Sequence, residues 1–258
     1  MMLPIPAELI LEKMVLWSAP FLRVSAMLLI APVFSASGVS VRFRVLLAVL
    51  IAALAAPIIP TPPTTDLFSA NGLLMAIREV GIGFAIGFVL QLVFGAVVYA
   101  GQAVSMTMGL GFAMAVDPQN GVQVPVLSQM YVILATLLFL SLNGHLILIA
   151  TVIDSYQILP ANLSGIPVSS LGAVAALGSK VFASGISLAL PAMAAMLMVN
   201  VTFGVITRTA PQLNIFAVGF PMTLMGGFFV LFINMPNLIA ALSQFLDQAL
   251  MQVPAVFM

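Results

Sequence analysis

The chain predicts an all-α membrane protein of about six long, partly broken hydrophobic helices. Three observations carry that prediction. Hydrophobic residues make up 63% of the 258 and charged residues only 5%, too little polar surface to cover a soluble fold. Charge-free runs such as Pro118 to Ile153 and Thr209 to Leu246 recur along the chain, each long enough to cross a hydrocarbon core of about 30 Å as a helix. No alternation of period two is present, as a transmembrane barrel would require, so helices are the expected spanning element.

Six apolar segments follow in order, at roughly Met14 to Ala31, Phe43 to Ile59, Leu73 to Ala100, Val126 to Ile153, Leu171 to Val199 and Ile215 to Leu242. The first runs on past Arg23 and is preceded by Glu8, Glu12 and Lys13, which do not make the positive n-region of a cleavable signal. The clearest breaks are PIIPTPP at Pro57 to Pro63, DPQNG at Asp117 to Gly121 and LPANLSGIP at Leu159 to Pro167. The last divides the chain into a four-segment part, residues 1–160, and a two-segment part, residues 161–258. Pro191 is expected to bend the fifth segment, and Pro211 and Pro221 bracket a stretch, Thr207 to Pro221, through which no helix runs unperturbed.

Seven basic and seven acidic residues leave no net charge. There is no field to draw nucleic acid, so no nucleic-acid partner is expected; lipid is the expected surround. With alternating segments, Arg42, Arg44 and Arg208 fall on one side and Lys13, Arg78 and Lys180 on or near the other. The positive-inside rule therefore barely selects an orientation, and the helices are expected to pack against partner subunits rather than insert independently.

Arg23, Arg78, Glu79 and Lys180 lie in or at the ends of apolar segments, where a central charge costs about 2.5–3.5 kcal/mol on insertion scales. They either snorkel to the interface or make interhelical or intersubunit ion pairs; Arg208 is grouped with them. Arg78 and Glu79 are adjacent, so on a helix they point about 100° apart and must find partners elsewhere. Gly83, Gly87, Gln91 and Gly95 recur at intervals of four, a stripe that predicts close helix packing.

No cysteine is present, and the single histidine, His145, has no local carboxylate or second histidine with which to build a metal site or a triad. No HExxH, Walker A, GxGxxG or GxSxG pattern occurs. The expectation is a protein without cofactor, metal or catalytic set. A small-solute transporter would need paired midplane charges and repeat-related broken helices, and neither is legible. The informative run is GQAVSMTMGLGFAMAVDPQNG at Gly101 to Gly121. Its glycines and methionines suit a pliable apolar loop better than a rigid helix, and such backbone at membrane depth must be buried in protein or line a cavity. It is either a plug, with Met106, Met108, Phe112 and Met114 as the deformable seal, or a plain connector.

In order and wording the chain resembles the FliR family of flagellar export-gate subunits. The matching stretches are PFLRVSAMLLIAPVFS at Pro20 to Ser35, VSVRFRVLLAVLIA at Val39 to Ala52, PIIP at Pro57 to Pro60, REVGIGFAIGF at Arg78 to Phe88, the Gly- and Met-rich run ending at Asp117 and Pro118, and RTAPQLNIFAVGFP at Arg208 to Pro221. The resemblance implies a non-enzymatic subunit of the bacterial inner membrane, in the flagellar basal body. It implies a single copy in a helical hetero-oligomer with FliP and FliQ, the first part FliP-like and the second FliQ-like, held largely above the bilayer plane. FlhB and FlhA are the implied neighbours, and unfolded rod, hook and filament proteins the cargo. It also implies that residues 109–121, with Gly109, Gly111, Phe112, Met114, Asp117 and Pro118, lie in the conduit as a plug. Virulence type III secretion systems share the general pattern.

Overall fold

The computed structural model describes residues 7–59, 69–110, 126–161, 168–210 and 219–255. Among these the secondary structure is helical: α1 (Ala7–Ile30), a short α2 (Pro32–Ser35), α3 (Val41–Ala55), α4 (Ala70–Thr107), α5 (Val126–Ser141), α6 (Gly144–Ile158), α7 (Val168–Thr209) and α8 (Phe220–Ala255). Among the described residues, each of the six expected segments is largely helix. Three helices, α4, α7 and α8, contain stretches long and apolar enough to cross a membrane, and α5 with α6 would make a fourth as a bent pair.

Two boundaries differ from the sequence expectation. The fourth segment is broken at Leu142–Asn143, where Asn143 adopts φ 55. Asn followed by Gly is the pair that tolerates a left-handed backbone best, and Asn143 then starts α6 by accepting from Leu146 N (2.9 Å) and Ile147 N (3.1 Å) through its carbonyl. The Gly101–Gly121 run is not a loop throughout, because α4 continues to Thr107. The reason is packing. A methyl at Gly101 would stand 2.7 Å from Ser128 Cα, so this glycine lets α5 approach α4 and is not there for pliability. Ser128 Oγ then donates to the Val98 carbonyl at 3.2 Å.

The chain forms two compact units that interleave in sequence. Unit 1 takes Met1–Leu92, Asn143–Gly178 and Gln248–Met258. In it α1 packs on α3 and α6, and a core forms from Ala19, Ala55, Ile59, Met75, Tyr156 and Ala161. Ser40 caps α3 by accepting from Phe43 N (3.3 Å). The Arg44 guanidinium ties down the turn before it, donating to the carbonyls of Ser35, Ala36 and Val39. Unit 2 takes Val93–Leu142 and Ser179–Asp247. Its contacts include an edge-on pair between Phe94 and Phe139 and another between Tyr99 and Phe182. At Gly185 of α7 an added methyl would come within 2.7 Å of Ala96 Cβ on α4.

The glycine stripe on α4 splits. A methyl at Gly83 would overlap the Arg23 carbonyl, and one at Gly87 would sit 2.9 Å from the Met27 carbonyl oxygen. Both lie against α1. Gln91 and Gly95 are exposed, and Gly95 has nothing within 4 Å of an added Cβ. Each step of four residues overshoots a full turn by about 40°, so the row drifts off a straight contact after two or three members. Gly83→Ala is therefore expected to destabilise unit 1 by about 1–3 kcal/mol through overpacking, and Gly95→Ala to be silent. Thermal melts of the two purified variants in detergent check this; equal melting points would refute the close-approach role of Gly83.

Candidate functional site

Unit 1 contains an ion pair with no exposure to solvent. Arg23 on α1 and Glu79 on α4 are both 0% exposed. The guanidinium meets the carboxylate fork to fork: Nε donates to Oε2 at 2.8 Å and Nη2 to Oε1 at 2.9 Å. Bidentate geometry of this kind makes the strongest of the side-chain pairs. The remaining valences are met from α6. Arg23 Nη1 donates to Ser155 Oγ (2.7 Å) and Nη2 to the Leu159 carbonyl (3.0 Å), while Tyr156 donates its hydroxyl to Glu79 Oε2 at 2.8 Å. The Tyr156 ring lies under the guanidinium, 3.6 Å from its carbon to the ring centroid, a cation–π contact in a dry setting.

Arg78, about 100° round the helix from Glu79, takes a separate partner. Its Nη1 donates to the Pro160 carbonyl at 2.9 Å. Arg23 and Arg78 thus both bond carbonyls just beyond the C-terminus of α6, where orphan acceptors and the negative end of the helix dipole favour cations. Three helices are joined through one group of side chains.

Unit 2 holds the start of the predicted plug, at the end of α4. Gly109 takes φ 82. Its N–H donates to the Met106 carbonyl (3.1 Å), and Leu110 N donates to the Ser105 carbonyl (3.1 Å). This is a Schellman termination with glycine in the left-handed position. Asn200 on α7 donates through Nδ2 to the Thr107 carbonyl at 3.0 Å. Met108 is fully buried, and a methyl on Gly227 of α8 would stand 2.7 Å from its Cγ and 3.0 Å from its Sδ. Met106, two residues earlier, is 64% exposed.

Of the residues singled out in the sequence, Arg23 and Glu79 meet each other, Arg78 binds backbone, and Lys180 and Arg208 are exposed on α7. Met108 and Gly109 close α4; Gly111, Phe112, Met114, Asp117 and Pro118 lie outside the described residues. His145 is half-buried at the start of α6. Sequence reasoning missed Ser155, Tyr156, Asn200 and Gly227. Ser155 and Tyr156 come just after the fourth apolar segment and Asn200 just after the fifth, so polar side chains at segment ends were the available signal for the first three. Gly227, one of a Gly–Gly pair amid large apolar neighbours, had only its small size to mark it.

A chain with three or four candidate apolar spans among its described residues and an internally satisfied charge pair is a polytopic helical membrane protein. Residues 14–249 match the family described as "Bacterial export proteins, family 1", and the chain belongs to it. It is 39% identical over 237 residues to the "Flagellar biosynthetic protein FliR" of Escherichia coli (strain K12), covering 91% of this chain and 90% of that one. It is 39% identical over 217 residues to the protein of the same name from Pectobacterium carotovorum subsp. carotovorum, covering 84% and 83%. The Bacillus subtilis (strain 168) protein of that name is 28% identical over 221 residues.

Two outcomes follow from this geometry. Arg23→Leu or Glu79→Ala strands a buried charge and is expected to cost about 3–5 kcal/mol, whereas the double change Arg23→Leu with Glu79→Leu recovers most of that loss. Comparing folded yields of the two single variants and the double tests it; a double variant no better than the singles would refute the pairing. Gly109→Ala is expected to cost about 1–2 kcal/mol because an L side chain resists the left-handed region. A chemical-denaturation midpoint unchanged by that substitution would contradict the Schellman termination.

Proposed function

We propose that the chain is a core subunit of the flagellar type III protein-export gate in the bacterial inner membrane. The observation that carries this reading is the 39% identity to a flagellar biosynthetic protein across nine-tenths of both chains. In this reading a single copy joins FliP and FliQ in a helical hetero-oligomer, beside FlhB and FlhA. The assembly conducts unfolded rod, hook and filament proteins, and the chain performs no chemistry. Residues 1–160 are the FliP-like part and 161–258 the FliQ-like hairpin. The other relatives named above are also flagellar, which supports this over a virulence secretion system.

Helix length supports placement partly outside the bilayer. At 1.5 Å per residue the 42 residues of α7 and 38 of α4 extend about 63 and 57 Å, roughly twice a hydrocarbon core. Apolar side chains along α7 and α8, among them Leu190, Leu197, Met198, Phe228, Phe229 and Phe232, are exposed on the single chain and want lipid or subunits against them. The plug reading of 109–121 takes Met106 and Met108 as its near end. Of the helix-packing stripe, Gly83 and Gly87 serve packing within the chain, Gln91 and Gly95 are left on the surface, and Lys180 and Arg208 are the charges for intersubunit pairing.

Deleting the chain is expected to abolish secretion of hook and filament proteins, and an affinity tag on it to co-purify the FliP and FliQ homologues. Normal secretion without it would end this reading. Removing Gly109 to Ala115 is expected to make the assembled complex leak ions; unchanged conductance would exclude the plug.

A further inference from the structure

We infer that Asn200 and Gly227 are positioning residues that hold the end of α4 as a fixed mount, seated while the conduit is shut and still seated while cargo passes. The inference rests on the export-gate reading above. Three independent contacts within unit 2 converge on four consecutive residues. The Gly109 termination takes up the carbonyls of Ser105 and Met106. The Asn200 amide takes up the next acceptor at the helix end, Thr107 O, at 3.0 Å. The fully buried Met108 side chain lies along Gly227, where any side chain would displace it.

Each contact alone leaves the helix end free to fray, because the last carbonyls of a helix have no internal partner. Together they satisfy backbone acceptors from one side and clamp a side chain from the other. Asn200 is well suited to this task. It lies in an otherwise apolar stretch of α7, between Val199 and Val201, where an amide without a partner would be costly. Its donor is spent on a neighbouring helix's terminal carbonyl rather than on its own. Gly227 is likewise matched to one partner: the slot it opens accepts an unbranched, flexible chain, which methionine supplies. Gly226 beside it lies 3.3 Å, measured to an added Cβ, from Val199 Cγ1, so α8 is held against the same turn of α7 that carries Asn200.

The test uses the assembled export complex in its native membrane. Asn200→Ala is expected to leave the yield of complex within about twofold of wild type. Ion leak should rise about fivefold, the factor by which losing one hydrogen bond shifts a two-state equilibrium. Gly227→Ala is expected to leak likewise, and Met108→Ala placed on top of it to reduce that leak by removing the collision; a structural defect at Gly227 alone would not be relieved. The chain contains no cysteine, so the pair Met108→Cys with Gly227→Cys can be oxidised without background; an added Cβ at Gly227 stands 2.7 Å from Met108 Cγ, the atom that a cysteine sulfur would replace. The oxidised pair is expected to secrete at the rate of the reduced pair.

A normal leak in Asn200→Ala at normal yield would overturn the mount. So would secretion that stops on oxidation and returns with dithiothreitol, since the helix end would then have to move. Should Asn200→Ala fail to assemble, the disulfide pair decides alone. A strain lacking the chain that still secretes hook and filament proteins would instead refute the export-gate reading, leaving the geometry of the mount untouched.

Discussion

The Arg23–Glu79 pair is the constraint around which unit 1 is arranged. Two charges with no solvent exposure survive in so apolar a chain only if their mutual attraction and hydrogen bonds match what desolvation removes. Here the match is built from three helices. Glu79 comes from α4, the guanidinium from α1, and the groups that complete both from α6. The glycine at position 83 belongs to the same solution, since only a residue without a side chain allows α4 to come against the Arg23 backbone. Moving any of the three helices away would expose an unpaired charge to an apolar surround. That cost is what gives the packing its specificity, because dispersion between apolar helices alone chooses poorly among registers.

Much of this was written in the sequence, at the level of elements. Hydropathy placed six segments, and their described residues are largely helical, the fourth as two helices. The adjacency of Arg78 and Glu79 said that they could not face each other and left their partners open; in the structure Glu79 meets an arginine on α1 and Arg78 a carbonyl after α6. What could not be read was identity across distance. Arg23 and Glu79 are separated by 56 residues and Arg23 and Ser155 by 132, and no local pattern says which distant polar group a buried charge will find. Glycine was the second source of error. In Gly101 it was taken for pliability and proved to be a close-contact residue; in Gly109 it does supply the backbone freedom that only a left-handed turn requires. One residue type serves both needs, and composition does not separate them.

The two helix ends in the structure are finished by the same physical logic with different chemistry. After α6, cations from two other helices take the exposed carbonyls. After α4, a backbone motif and a neutral amide do so. The difference fits the surroundings. Next to Glu79 a cation is compensated, whereas among the described residues no ion pair offers a cation such compensation at the end of α4. A neutral donor there satisfies the carbonyl without a second charge to bury.

The weak orientation signal has its explanation in the same economy of charge. Of the seven basic residues, Arg23 is committed to a buried carboxylate, Arg78 to the carbonyl of Pro160 and Arg44 to the carbonyls before α3. Among the described side chains only Arg42, Lys180 and Arg208 remain exposed. The positive-inside rule works through cations left in loops flanking the spans. A chain that places its arginines inside the fold, to bind a carboxylate and helix ends, has withdrawn them from that role. Few cations are then left to mark an orientation, and the apolar side chains exposed along α7 and α8 want lipid or protein against them.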